Sequence, residues 1–209
     1  MELHFRYSPE SEADRIGYTL DKYRWYKENN YRINLPDSLK AKAECGERVE
    51  DEEITKVVTE EFDTVAYDNA IKLLESEFRK IERDFTKNLK SLGVPVHDTY
   101  TISLTKYGVG GSYSLPNNVQ VNIDYGRTIS WITLAHEIVH LAIEEWVKKY
   151  KIEHWTKERM VDLIMDRFFP GEVNIQGKPE DLKEVKIAFD SHFPNIQKVI
   201  EEVVSRRQE

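Results

Sequence analysis

Two histidines and an acid interrupt the apolar run LAHEIVHLAIEEW, residues Leu134 to Trp146. His136 and His140 are four apart, so a helix sets both imidazoles on one face, where they can grip a single ion. Glu137 points toward the same opening and can take a proton from a water activated there. This is the HExxH arrangement, a two-histidine zinc site with a carboxylate as general base. Polar groups buried in an apolar helix cost free energy unless something satisfies them. The plain alternative is a helix whose histidines serve its own packing while its glutamate faces water. With 6 His and 38 Asp+Glu in 209 residues, and Asp allowed as the acid, chance placement yields a match about 3% of the time. The metal reading is favoured.

A catalytic zinc takes a third protein ligand and leaves its fourth position to water. Cys45 is the only cysteine and lies far upstream, so the downstream choices are His154, Glu158, Asp162 and Asp166. Glu158 and Asp162 are four apart and share a face of the next helix. One can ligate the ion while the other holds a histidine N–H. Seventeen residues separate His140 from Glu158, enough for the first helix to end, turn and send a second one back across it. Spacing favours Glu158; His154 reaches the ion only through a tight turn.

HEIVH followed by Glu158 and Asp162 resembles the gluzincin metallopeptidases. RTISWITLAHEIVH with ERMVDLIMDRFFP also resembles the compact bacterial and phage metallopeptidases that cleave repressors, over roughly residues 118–170. Val161 and Asp162 stand where that family carries a small residue and an asparagine. The resemblance implies Glu158 as third zinc ligand and Asp162 as hydrogen-bond partner of His136. It also implies that a strand, here NNVQVNID, runs along the cleft rim and pairs with an extended peptide.

The elements that must carry these residues follow from periodicity. Residues 129–150 read as one helix, 151–155 as a turn and 157–169 as a further helix stopped by Pro170-Gly171. Residues 94–124 switch to β-branched and aromatic residues, with strands at 99–104 and 118–124 joined by a glycine-containing loop. Gly108-Val109-Gly110-Gly111 suits either a turn or a loop that moves over the cleft. Upstream, Ile71, Leu74, Phe78, Ile81, Phe85 and Leu89 form an amphipathic stripe. The aromatic residues Tyr18, Tyr23, Trp25, Tyr26 and Tyr31 suit packing, or a surface that binds a partner. A last helical region, 182–207, breaks near Pro194. The expected fold is α+β, mostly helical, with a small, mainly antiparallel sheet beside the motif helix. The expected organisation is one domain over 1–209: a helical part (1–92), a minimal zincin-like core (93–170) and C-terminal helices (171–209).

Composition agrees with a globular chain, 40% hydrophobic and 33% charged. A net charge of -8 gives no help toward nucleic acid. No signal peptide or membrane-spanning run is visible, and a lone cysteine permits no intrachain disulfide, so the expected compartment is the cytoplasm. The expected activity is zinc-dependent hydrolysis of peptide bonds in a peptide or protein substrate, with Glu137 as base. The alternative is a non-catalytic zinc protein that binds a partner through its helical half. For oxyanion stabilisation Tyr107, Tyr113, Tyr150 and His154 are equal candidates.

Overall fold

The computed structural model describes residues 1–124, 131–172 and 183–206. Strand β1 (Glu2–Arg6) opens the chain, and helices α1 (Pro9–Asp21), α2 (Tyr23–Glu28), α3 (Asp37–Cys45), α4 (Asp51–Glu61) and α5 (Thr64–Ser91) follow. Strands β2 (Thr99–Thr105), β3 (Gly111–Ser114) and β4 (Asn118–Asn122) come next. Then come α6 (Trp131–Lys149), α7 (His154–Phe168), α8 (Lys183–His192) and α9 (Ile196–Arg206). The chain is α+β and mostly helical, as expected. Residues 129–130 of the motif helix and the loop 173–182 lie outside the described residues. No helix among those described is long and apolar enough to cross a membrane.

Helix α5 shows how pattern becomes packing. Asp63 caps its first turn by accepting from the Val65 N–H, and Leu74, Phe78, Phe85 and Leu89 from the apolar stripe are all buried. Gly93, at φ +69, ends the helix in a left-handed conformation that glycine adopts without strain. Burial of this stripe is what draws α5 against the sheet and α6. The large core joins residues from α5, the inner face of the sheet (Tyr100, Ile102, Val119, Val121), α6, α7 and α9. A second, smaller cluster of Ile16, Leu39, Ile54 and Val58 ties α1, α3 and α4 together.

The sheet corrects the expected pairing. Its order is β1-β2-β4-β3, with β1–β2 and β2–β4 parallel and only β3–β4 antiparallel. The sheet is therefore mixed rather than mainly antiparallel. After β2 the chain passes beyond the position of β4, forms β3, and turns back into the gap, so β4 runs in the direction of β2. Two of the four strands fall outside the expected pair: β1 at the N-terminus, and β3 inside the stretch read as a loop. NNVQVNID is consequently not a rim strand, since β4 is flanked on both sides; the edge strand nearest α6 is β3.

Helix α1 is fixed to the end of this sheet by Glu12. Its buried carboxylate accepts from Thr105 Oγ1 at 2.6 Å, from the Lys106 N–H at 2.9 Å and from the Tyr67 hydroxyl. Arg15, one turn on, donates to the Tyr107 carbonyl and to Ser112 Oγ. The helices of residues 9–28 are thereby held beside the loop that leads into β3.

Candidate metal centre

Helix α6 is buried without a break from Leu134 to Glu144, so its polar residues cannot turn to water. The i, i+4 spacing brings His136 and His140 onto one face, with Nε2 atoms 3.0 Å apart. After α6 the chain reverses through Lys151, at φ +52, and α7 returns with Glu158 aimed at the same point. Glu158 Oε2 lies 3.2 Å from His140 Nε2 and 3.5 Å from His136 Nε2. These three buried residues form a group that can hold a metal ion.

The donor set and its dimensions fit such an ion. Zinc bonds to nitrogen and oxygen are about 2.0–2.1 Å, so adjacent corners of a tetrahedron are about 3.3–3.4 Å apart. The triangle here has sides of 3.0, 3.2 and 3.5 Å. Electrostatics agree. Burial pushes His140 down to about 4, leaving it neutral with a lone pair to offer. Burial alone would raise Glu158, but the two imidazoles outweigh it and hold the carboxyl well below its ordinary range, as an anion. At His136 burial is likewise outweighed, by Glu158 and neighbouring carboxylates, and its pKa rises. A cation satisfies all three residues at once.

Asp162, fully buried, stands behind His136, with Oδ1 at 3.9 Å from Nδ1, on the ring edge away from the convergence point. That is ion-pair range rather than a direct hydrogen bond. His154 faces elsewhere: its Nε2 is 2.7 Å from the Tyr31 hydroxyl, and its Nδ1 is 3.7 Å from Glu158 Oε1, the outer oxygen. Asp166 lies outside the group. Of the four downstream choices, Glu158 alone joins the histidines.

Glu137 is 7% exposed, and burial above all pushes its carboxyl up to about 7. Its position is set by β3: an added Cβ at Gly111 would lie 2.4 Å from Glu137 Oε1. The glycine run is therefore a site of close approach. Gly108, at φ +85, packs on the Arg15 guanidinium and exchanges backbone hydrogen bonds with Asn34, while the Gly110 carbonyl accepts from Asn122 N–H. The segment is pinned on both sides.

A cleft of about 650 Å³ opens over these residues. Tyr113 stacks on the His140 ring at 4.9 Å, donates to Glu144 at 2.7 Å and accepts from Lys157 at 3.0 Å. Tyr113 and His154 line the cleft, whereas the Tyr107 and Tyr150 hydroxyls are engaged by Glu61 and Glu201 elsewhere. Sequence reasoning missed Lys157 and Arg15 here, since a lone cation on a helix carries no periodic signal. No family model, curated protein or solved structure matches this chain.

Proposed function

We propose that the protein is a zinc-dependent peptidase. The observation that carries this reading is the convergence of His136 Nε2, His140 Nε2 and Glu158 Oε2 in a triangle of tetrahedral dimensions, beside a buried, unligated Glu137. A nitrogen–nitrogen–oxygen donor set suits zinc among the available divalent ions. The resemblance of HEIVH, Glu158 and Asp162 to the gluzincin pattern supports the same assignment.

When bound, zinc supplies Lewis acidity that polarises a peptide carbonyl and acidifies water. The remaining work falls to the chain. Glu137, with a pKa near neutrality, accepts the proton of the attacking water and returns it to the leaving nitrogen. Asp162 fixes the His136 ring from behind. Along the cleft, β3 pairs with β4 by one edge only, so its other edge offers backbone groups to an extended peptide.

The test combines metal content with hydrolysis of a proteome-derived peptide pool read by mass spectrometry. The parent is expected to hold about one zinc per chain. Glu137→Gln keeps the metal and loses cleavage by orders of magnitude, Glu158→Ala loses the metal, and Asp162→Ala weakens it about 10–100-fold. Absence of zinc after reconstitution overturns the reading. Cleavage that survives Glu137→Gln removes Glu137 as base, and a zinc-loaded protein that cleaves nothing is a scaffold.

A further inference from the structure

The cleft has two chemically different ends. One is the buried polar centre. The other is an aromatic wall contributed by α1, α2 and the turn after them, in which Tyr18, Trp25, Tyr26 and Tyr31 face the same cavity. Trp25 stacks on Tyr31 at 5.6 Å and meets Tyr26 and His154 edge-on at 5.5 and 5.2 Å. Tyr31 in turn stacks on Trp155 and meets His154 through its hydroxyl. The wall is thus bolted to the first turn of α7, one turn before Glu158.

Its outer members are not satisfied by this packing. Tyr18 is 51% exposed and Trp25 40%, among the few large apolar side chains of the described residues left open to water. Exposed aromatic surface continuous with a concave polar site marks where a ligand of matching chemistry is covered. Successive residues of an extended peptide advance about 3.3 Å, so a carbonyl at the centre places a neighbouring side chain over this wall.

Charge narrows the chemistry further. Glu137 and Glu158 lie at the polar end, and Glu172 follows the far end of α7, about 20 Å along the helix from His154. Lys157, on the first turn of α7, is held at the polar end by the Tyr113 hydroxyl at 3.0 Å and Glu158 at 3.7 Å, so its charge is engaged there and not at the rings of the wall. We propose, resting on the peptidase reading, that the wall of Trp25, Tyr31 and Tyr18 selects substrates carrying an aromatic or large aliphatic residue beside the scissile bond.

The experiment uses peptide-like hydroxamates, which anchor on zinc through their own chelating group and need no hydrolysis. Calorimetry on the zinc-loaded protein compares benzyl, isobutyl, methyl, aminobutyl and carboxyethyl side chains. Benzyl and isobutyl are expected to bind on the order of tenfold or more tighter than methyl. Trp25→Ala should shrink that ratio to within about threefold while zinc content and methyl-hydroxamate affinity hold, and Trp25→Phe should restore most of it. A ratio near one, a preference for a charged side chain, or a ratio untouched by Trp25→Ala overturns the proposal. If no hydroxamate binds the zinc-loaded protein, the proposal falls too. A selective but non-hydrolysing protein would overturn the peptidase reading alone, and an active but unselective one this inference alone.

Discussion

Gly111→Ala isolates the role of Glu137 from that of the metal ligands. The new methyl would sit 2.4 Å from Glu137 Oε1, 2.9 Å from its Cδ and 2.8 Å from Thr133 Cγ2. An ordinary carbon–oxygen contact is about 3.4 Å, so something must move by about 1 Å. The strand cannot yield easily, because Gly111 pairs with Val121 and the preceding carbonyl is held by Asn122. The Glu137 carboxylate, the free end of a side chain, gives way, and the Thr133 methyl shifts with it. Overpacking of this kind costs about 1–3 kcal/mol, a fall in Tm on the order of 5 °C for a chain of this length. A reacting group displaced by about 1 Å loses about 100-fold in rate. The three converging ligand atoms are untouched, so zinc affinity should stay within about threefold. Measured together, kcat/KM on the best-cleaved peptide, zinc affinity and Tm should therefore separate. Gly17→Ala is the control: nothing lies within 4 Å of its added Cβ, and this α1 position should gain about 0.5–1 kcal/mol with activity unchanged. Parental activity in Gly111→Ala would refute the reasoning, as would zinc affinity falling in step with the rate.

Two further outcomes follow from the same neighbourhood. In metal-free protein, the Glu137 carboxyl has an ordinary value of 4.5 and is raised by burial to about 7, so its ionisation destabilises the fold as pH rises through that window. Glu137→Gln should match the parent below about pH 4.5 and exceed it by about 3 kcal/mol at pH 8 in denaturant melts; equal stability at both pH values would contradict this. Tyr113→Phe keeps the ring on His140 but removes the hydroxyl between Glu144 and Lys157. It should cost about 1.5–3 kcal/mol in chemical denaturation with little change in zinc affinity.

What could be read from the sequence was what lies close along it. His136, Glu137 and His140 are related by a single helical turn, and Glu158 with Asp162 by another, so spacing alone placed each set on a face. The stripe of α5 and the break at Pro194 are likewise local, and the structure places a gap between α8 and α9 there. The sheet was less legible. The β1 strand offers only Leu3 and Phe5 as alternating apolar residues, and its partner lies 97 residues away. Strand β3 reads Gly-Ser-Tyr-Ser, with one large side chain to mark a face, and its single glycine, Gly111, serves close approach to Glu137 rather than a turn. Parallel pairing of β2 with β4 depends on where the intervening chain runs, which no window of sequence records. The aromatics of residues 18–31 read more readily as packing, which holds for the buried Tyr23 and Tyr26 but not for the exposed Tyr18 and Trp25, because composition does not say which side of a ring meets water.

The long reach from β1 to β2 also orders events in time. Arg6 and Ser103 pair across 97 residues, and Glu12 waits for Thr105 and Lys106. At roughly 5–20 residues per second, a ribosome needs about 5–20 s to make that stretch. Until then α1 and α2 have no sheet to rest on, and the apolar stripe of α5 has no partner. The residues of the centre, 136 to 162, are added later still. A half-made chain thus carries the exposed hydrophobic surface that chaperones hold, and none of the converging ligands. The group that can hold a metal ion, on this topology, comes together only after every strand of the sheet has been made.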